Sequence, residues 1–233
     1  MHSPAADLAL GAIWFAAFLF STTVHEACHA LVAWRLGDPT AYHGGQVSLN
    51  PWPHIRREPF GMVLMPLLSY SAGRWMIGWA SAPYDPLWAA RHPRRAGAMA
   101  LAGPLGNLTL LGLATLGIRI GNATGAFIPP ASIDFAHLTG APGGGTAEAL
   151  AALLSVFFSL NLILFLFNLL PMPPLDGSGV LLLLMPEELG RRWQTVMRHP
   201  LLSLVGILVA WRLFPLLFGP TFRMALRVLY PAS

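Results

Sequence analysis

The chain has 233 residues and a net charge of +4, but only 10% of its residues are charged and 55% are hydrophobic. About 25% of the residues of an ordinary soluble domain are charged, so this composition excludes a soluble globular domain and indicates burial in a membrane. All 14 basic residues are arginines, most of them at the ends of apolar runs, as in the cytoplasmic loops of membrane proteins. A nucleic-acid-binding surface would instead need a basic stripe on a polar helix, so we expect no nucleic-acid partner.

The first apolar run covers residues 8–24 and continues through 30–34. At about 1.5 Å per residue, a helix of this length crosses a hydrocarbon core of about 30 Å. The stretch Gly37–Pro39 should end the helix. No basic residue precedes Arg35, so the run lacks the basic region of a cleaved signal peptide and is interpreted as a retained span.

Two short elements are predicted after the first span. Residues 42–49, which turn at Gly44-Gly45, predict a β-hairpin. The edge of this hairpin either accepts a substrate strand or only connects its flanking segments. Residues 60–70 are apolar, but they are short and contain Pro66. Because arginines flank this segment on both sides, we predict a re-entrant segment whose two ends lie on the cytoplasmic side.

Three longer apolar segments complete the pattern. Residues 96–118 contain no charged residue, residues 147–170 contain one, and residues 200–218 form a weaker candidate span. The sequence therefore predicts an all-α polytopic membrane protein. We expect a bundle of about four to six transmembrane helices, with the short β-hairpin and the re-entrant segment after the first helix. The arginine bias places residues 35–95 in the cytoplasm and the N-terminus outside.

The first span carries the sequence His25-Glu26-Ala27-Cys28-His29, an H-E-x-x-H pattern. On a helix, His25 and His29 stand one above the other and can bind one zinc ion. Glu26 lies beside them and can act as general base. The alternative is chance, but an unpaired acid in an otherwise uncharged span would cost several kcal/mol. Cys28 points away from Glu26 and is interpreted as a packing residue.

A catalytic zinc site needs a third protein ligand and an open position for water. Besides Glu26, Asp176 is the acid best placed to provide that ligand, because it follows a proline-rich break at the end of a predicted span. Irregular backbone at that depth is tolerated where it lines a cavity or is buried in protein. The alternative is an aspartate in an interfacial Pro-Gly turn.

Three motifs occur together in an order that resembles the site-2 protease family of intramembrane zinc metalloproteases. They are His25-Glu26-Ala27-Cys28-His29, Ala102-Gly103-Pro104-Leu105-Gly106-Asn107, and Asn168-Leu169-Leu170-Pro171-Met172-Pro173-Pro174-Leu175-Asp176-Gly177. The resemblance covers roughly three quarters of the chain and is closest to a compact form of the family without a PDZ or CBS domain. It implies one membrane-embedded protease domain over residues 1–233, with a catalytic core at about 8–185 and a C-terminal helix at about 199–218.

The resemblance also implies the chemistry. One zinc ion per chain would be held by His25, His29 and Asp176, and Glu26 would activate water to cut a transmembrane segment of a substrate protein in the bilayer. Asn107 would be a further catalytic residue, binding substrate backbone or steadying an oxyanion, or it would be a hydrogen-bonding contact between helices. His54 would either touch substrate or be an interfacial histidine.

Two other functions remain open at this stage: a catalytically silent scaffold that binds membrane helices, and a metal transporter. Transport predicts ionisable residues strung across several spans, whereas here they cluster. The expected location is the bacterial inner membrane, with the active site towards the cytoplasm.

Overall fold

The computed structural model describes residues 4–231, and this part of the chain is predominantly helical. The helices are α1 (Pro4–Arg35), α2 (Thr40–His43), α3 (Trp52–Arg57), α4 (Met65–Gly73), α5 (Pro86–Arg91), α6 (Pro93–Thr124), α7 (Gly145–Asn168), α8 (Asp176–Val180), α9 (Glu187–Met197) and α10 (Pro200–Leu229). A π-helical turn, Phe60–Leu64, leads directly into α4, and a short 3-10 turn, Leu181–Leu183, follows α8.

Four helices in the described part are long and apolar enough to cross a membrane: α1, α6, α7 and α10. This agrees with the predicted integral membrane protein and with the position of each predicted span. α1, α6 and α7 pack against one another and form the centre of the bundle. Their contacts bury Trp14 and Phe18 of α1 and Ile118 of α6. α10 lies on the outside of this group, with most of its large apolar side chains exposed.

The predicted β-hairpin at residues 42–49 is wrong, since no β-strand forms within residues 4–231. The backbone makes the helical turn α2 instead, because the Asp38 carboxylate accepts hydrogen bonds from the backbone N–H and the hydroxyl of Thr40. After this turn the Gln46 amide donates to the Ser81 carbonyl at 3.0 Å. The backbone N–H groups of residues 43–46 donate to carbonyl groups of residues 39–42, so bonds within the turn replace those that a partner strand would have made.

Residues 60–85 form a helix and an extended return. The Ser81 hydroxyl donates to Glu58 at 2.6 Å, which joins the beginning and the end of the segment. Between the helix and the extended return, Arg74 forms an ion pair with Asp7 of α1 at 2.9 Å. The two ends of this segment therefore lie close together, and its tip lies beside the N-terminal end of α1.

The C-terminal helix is longer than the predicted 199–218, because α10 continues to Leu229 through Pro215 and Pro220. Prolines inside membrane helices are tolerated when neighbouring groups compensate for the lost hydrogen bonds. Aromatic contacts join α10 to neighbouring segments. Phe214 packs against Phe167 of α7, and Phe218 packs against Phe135 in the loop between α6 and α7.

Candidate metal centre

The two histidines of the H-E-x-x-H pattern lie one turn apart on α1, and their Nε2 atoms are 3.0 Å apart. Both side chains are buried, His25 at 6% and His29 at 7% relative exposure. The rings meet edge to face, at 81°. The helix therefore presents two imidazole nitrogens to one point inside the protein.

The hydrogen-bond partners of the two Nδ1 atoms indicate the tautomer of each neutral ring. His25 Nδ1 lies 2.6 Å from Asn107 Oδ1, and His29 Nδ1 lies 2.7 Å from the Met99 carbonyl oxygen. Both partners are acceptors, so we assign the proton of each neutral ring to Nδ1. The two Nε2 atoms then carry lone pairs and can act as metal ligands.

Asp176 is brought to the histidines by the turn between α7 and α8. Its Oδ2 lies 3.0 Å from His25 Nε2, and its Oδ1 lies 3.3 Å from His29 Nε2. Gly177 makes this turn possible, because a Cβ there would come within 2.3 Å of the carbonyl oxygens of Leu169 and Leu170. The beginning of α8 can therefore fold tightly against the end of α7, with Asp176 facing α1.

The side chains of His25, His29 and Asp176 lack hydrogen-bond donors between them and are arranged as ligands of a metal ion would be. Asp176 Oδ2 is buried without a hydrogen-bond partner, and both Nε2 atoms facing the carboxylate lack a proton in the assigned tautomer. Three electron-rich groups therefore converge without a donor between them, an arrangement that a cation would stabilise. A tetrahedral zinc site with bonds of about 2.0–2.1 Å places its ligand atoms roughly 3.3 Å apart, close to the separations observed. Among the described residues these are the side chains grouped closely enough to hold a metal.

Helix α6 packs against the two histidines through Gly103 and Asn107. A Cβ on Gly103 would lie 2.3 Å from His29 Nε2 and 2.5 Å from His25 Nε2, so a residue without a side chain is required where α6 crosses the histidines. Asn107 lies one turn further along, is fully buried, and bonds to His25. The A-G-P-x-x-N motif thus combines a close helix approach with a partner for one ligand.

Glu26 lies at the edge of a cleft of about 380 Å³ that it shares with His29 and Asp176. The irregular residues 80–82 and 173–175 line it together with residues of helices α5, α6, α8 and α9. The cleft connects the metal centre to the outside of the helix bundle.

Two residues considered in the sequence lie away from this cleft. His54 is buried, with Nε2 donating to the Ser48 carbonyl at 3.1 Å. Cys28 faces α6, where its sulfur would lie 2.9 Å from a Cβ placed on Gly106. The structure therefore shows a hydrogen bond within the chain for His54 and a packing contact with α6 for Cys28.

Sequence reasoning missed the hydrogen-bond network behind Asn107. Asn161 of α7 accepts a hydrogen bond from the Asn107 amide at 2.9 Å and donates to the Ser21 hydroxyl of α1 at 2.9 Å. These side chains tie together the three central helices at the depth of His25. The sequence did contain a signal for this network, because Asn161 is an amide within a predicted span of little charge. Polar side chains within membrane helices are usually functional or pair across helices.

Replacing Asn107 by alanine tests whether this network orients His25. We expect the zinc affinity of Asn107→Ala to fall by about 10–100-fold, the usual loss when a metal ligand loses its outer partner. Equilibrium competition with a chromogenic chelator measures the change, and Thr109→Ala, on an exposed face of the same helix, is the matched control. Lost cleavage with unchanged zinc affinity would instead support an oxyanion role for Asn107.

The chain is similar in sequence to a known family of peptidases. Residues 13–213 match the family model described as Peptidase family M50. The chain is 35% identical over 170 residues to "Putative zinc metalloprotease YwhC" of Bacillus subtilis, an alignment that covers 72% of this chain and 67% of that protein. It is 32% identical over 169 residues to "Putative zinc metalloprotease Rip2" of Mycolicibacterium smegmatis, covering 71% of this chain and 54% of that protein. No solved structure matches significantly.

The chain therefore belongs to peptidase family M50, the site-2 protease family, as its three motifs indicated. Membership supports a metalloprotease function and implies zinc as the metal. The four apolar helices make it an integral membrane protein.

Proposed function

We propose that this protein is an intramembrane zinc metalloprotease that hydrolyses peptide bonds in transmembrane segments of substrate proteins. One zinc ion per chain is held by His25, His29 and Asp176, leaving a position open to water. The observation that carries the proposal is the convergence of these three side chains beside Glu26, in a cleft between helices long enough to span the membrane.

Glu26 and Asn107 have different roles in the proposed hydrolysis of the peptide bond. When bound, zinc supplies a Lewis acid that polarises the scissile carbonyl and acidifies water. Glu26 takes the proton from the attacking water and returns it to the leaving amine, so one carboxylate serves as base and then as acid. Asn107 holds His25 in the tautomer that leaves Nε2 free, acting as a positioning residue behind the metal centre.

The shape of the cleft supports an extended substrate chain. Residues 80–82 and 173–175 are irregular backbone that lines the cleft, and an intact transmembrane helix hides its carbonyl groups in internal hydrogen bonds. A substrate helix must therefore unwind before one of its carbonyls reaches Glu26. Depth in the bilayer keeps soluble proteins out of the site and restricts the substrates to membrane proteins.

The orientation follows from the arginines. His29 and the cleft lie towards the end of α1 marked by Arg35, and Arg57, Arg91 and Arg95 lie on neighbouring segments. Positive charge concentrates on the cytoplasmic side, so the active site opens towards the cytoplasm. The two relatives are bacterial, which supports a location in the bacterial inner membrane. A silent scaffold is disfavoured because Glu26 and all three ligands are intact.

Removing the metal from purified protein tests this function. We expect wild-type protein in detergent, carrying one zinc per chain, to cleave members of a panel of transmembrane-helix substrates. A chelator should abolish cleavage and added zinc should restore it, because the metal polarises the scissile carbonyl. Product peptides identified by mass spectrometry locate the cut. Cleavage that survives complete removal of zinc would contradict the proposal.

A further inference from the structure

The amphipathic helix α9 connects the two parts of the chain that supply the metal ligands. It follows α8, which begins with Asp176, and it lies outside the spanning helices. Exposed acidic and basic residues cover its outer face, with Glu188 paired to Arg191 at 2.8 Å. Its inner face contacts α5, α6 and the α8 turn, although nothing in the catalytic chemistry requires this helix.

Two consecutive residues of α9 donate hydrogen bonds in different directions. The Trp193 indole N–H donates to the Ser178 carbonyl of α8 at 2.8 Å. The Gln194 amide donates to the Ala89 carbonyl of α5 at 3.0 Å. Neighbouring helix positions are separated by about 100°, so one helix can reach both segments at once.

From α5 the connection continues to the histidine helix. The Trp88 indole, next to Ala89, donates to the Leu36 carbonyl directly after α1, at 3.3 Å. Asp38 accepts a hydrogen bond from the backbone N–H of Asp85, at the start of α5, at 2.8 Å. Leu36 lies two turns beyond His29. Hydrogen bonds from α8 to α9, from α9 to α5 and from α5 to the end of α1 therefore connect Asp176 to the histidines without passing through the metal centre.

We propose that α9 sets the separation between Asp176 and the histidine pair, with Trp193 and Gln194 as positioning residues. The inference rests on the proposed metal site. Asp176 stands on a short helix preceded by irregular backbone, so it lacks the rigid support that α1 gives to the histidines. Ligands held in place before the metal arrives bind it more tightly than ligands that must be ordered on binding.

Zinc affinity in two conservative variants tests the role of α9. Trp193→Phe keeps the aromatic ring and removes the donor, while Gln194→Met keeps the length of the side chain and removes the other donor. We expect each change to weaken zinc binding about 2- to 10-fold, the net value of one hydrogen bond, and the double variant to show a larger loss. Thr195→Ala is the matched control, because Thr195 is exposed and bonds only within α9.

The outcomes separate this inference from the proposed function. Unsubstituted protein that binds no zinc would overturn both. Wild-type zinc affinity in either folded variant would overturn the role of α9 and leave the protease proposal standing. Trp193 and Gln194 both line the cleft, so the KM of each variant for a cleaved substrate is measured at saturating zinc. A raised KM with unchanged zinc affinity would assign that residue to substrate contact and would contradict the inference.

Discussion

Replacing Glu26 by glutamine should abolish cleavage while leaving zinc bound. Glutamine has nearly the same shape but cannot take a proton from water, and a general base contributes about 10²- to 10⁴-fold to a rate. We therefore expect the cleavage rate of Glu26→Gln to fall by at least about 10²-fold, with one zinc per chain retained. Rates from gel-resolved products and zinc content from mass spectrometry measure the two effects on one sample.

The control for this change is Glu187→Gln, the same replacement on the exposed face of α9, where the nearest arginine is 3.9 Å away. It should cleave at the wild-type rate. Undiminished cleavage by Glu26→Gln would contradict the role of Glu26 and leave the metal centre intact. Loss of zinc from the variant would show that Glu26 supports the metal site itself.

Adding a single methyl group at Gly103 should destroy the metal centre. The Cβ of Gly103→Ala would lie within 2.6 Å of three ring atoms of His25 and His29, which are buried and cannot move aside freely. Either α6 retreats from α1 or the two rings rotate, and both changes separate the ligand atoms. We expect loss of stoichiometric zinc and of cleavage, measured by metal analysis and by the substrate assay.

Gly112→Ala is the matched control for this prediction, because it is the same change on the same helix. A Cβ at Gly112 would meet nothing within 4 Å. The variant should bind zinc and cleave as the wild type does, showing that α6 accepts alanine where space exists. Normal zinc content in Gly103→Ala would mean that α6 does not approach the histidines as closely as the structure shows.

Much of the architecture was accessible from the sequence because its signals are local. Apolar runs of sufficient length predicted the four long helices, and composition alone predicted the membrane. The spacing of His25 and His29 predicted two ring nitrogens on one helix face, since four residues make about one turn. Asp176 was found because few acids were available and its motif matched a known pattern.

The hairpin prediction failed for a reason that the local pattern did not contain. Residues 42–49 have the glycines of a turn, but the neighbouring Asp38 carboxylate starts a helical turn and the Gln46 side chain bonds to Ser81, 35 residues away. A hairpin requires its two strands to pair with each other. Here the backbone N–H groups of residues 43–46 donate to carbonyl groups three to five residues earlier, and the Gln46 side chain is held by the distant Ser81, so the chain makes a helical turn and no strands pair.

The sequence by itself determined the class of protein and the spans, and it predicted which groups would bind zinc and move a proton. Only the tertiary structure decided how those groups are arranged. It placed Asn107 behind His25, required Gly103 to lack a side chain, and connected Asp176 to α1 through α9. The physical reason is that helix formation and membrane insertion depend on neighbouring residues, whereas the separation of three ligands depends on how distant helices pack.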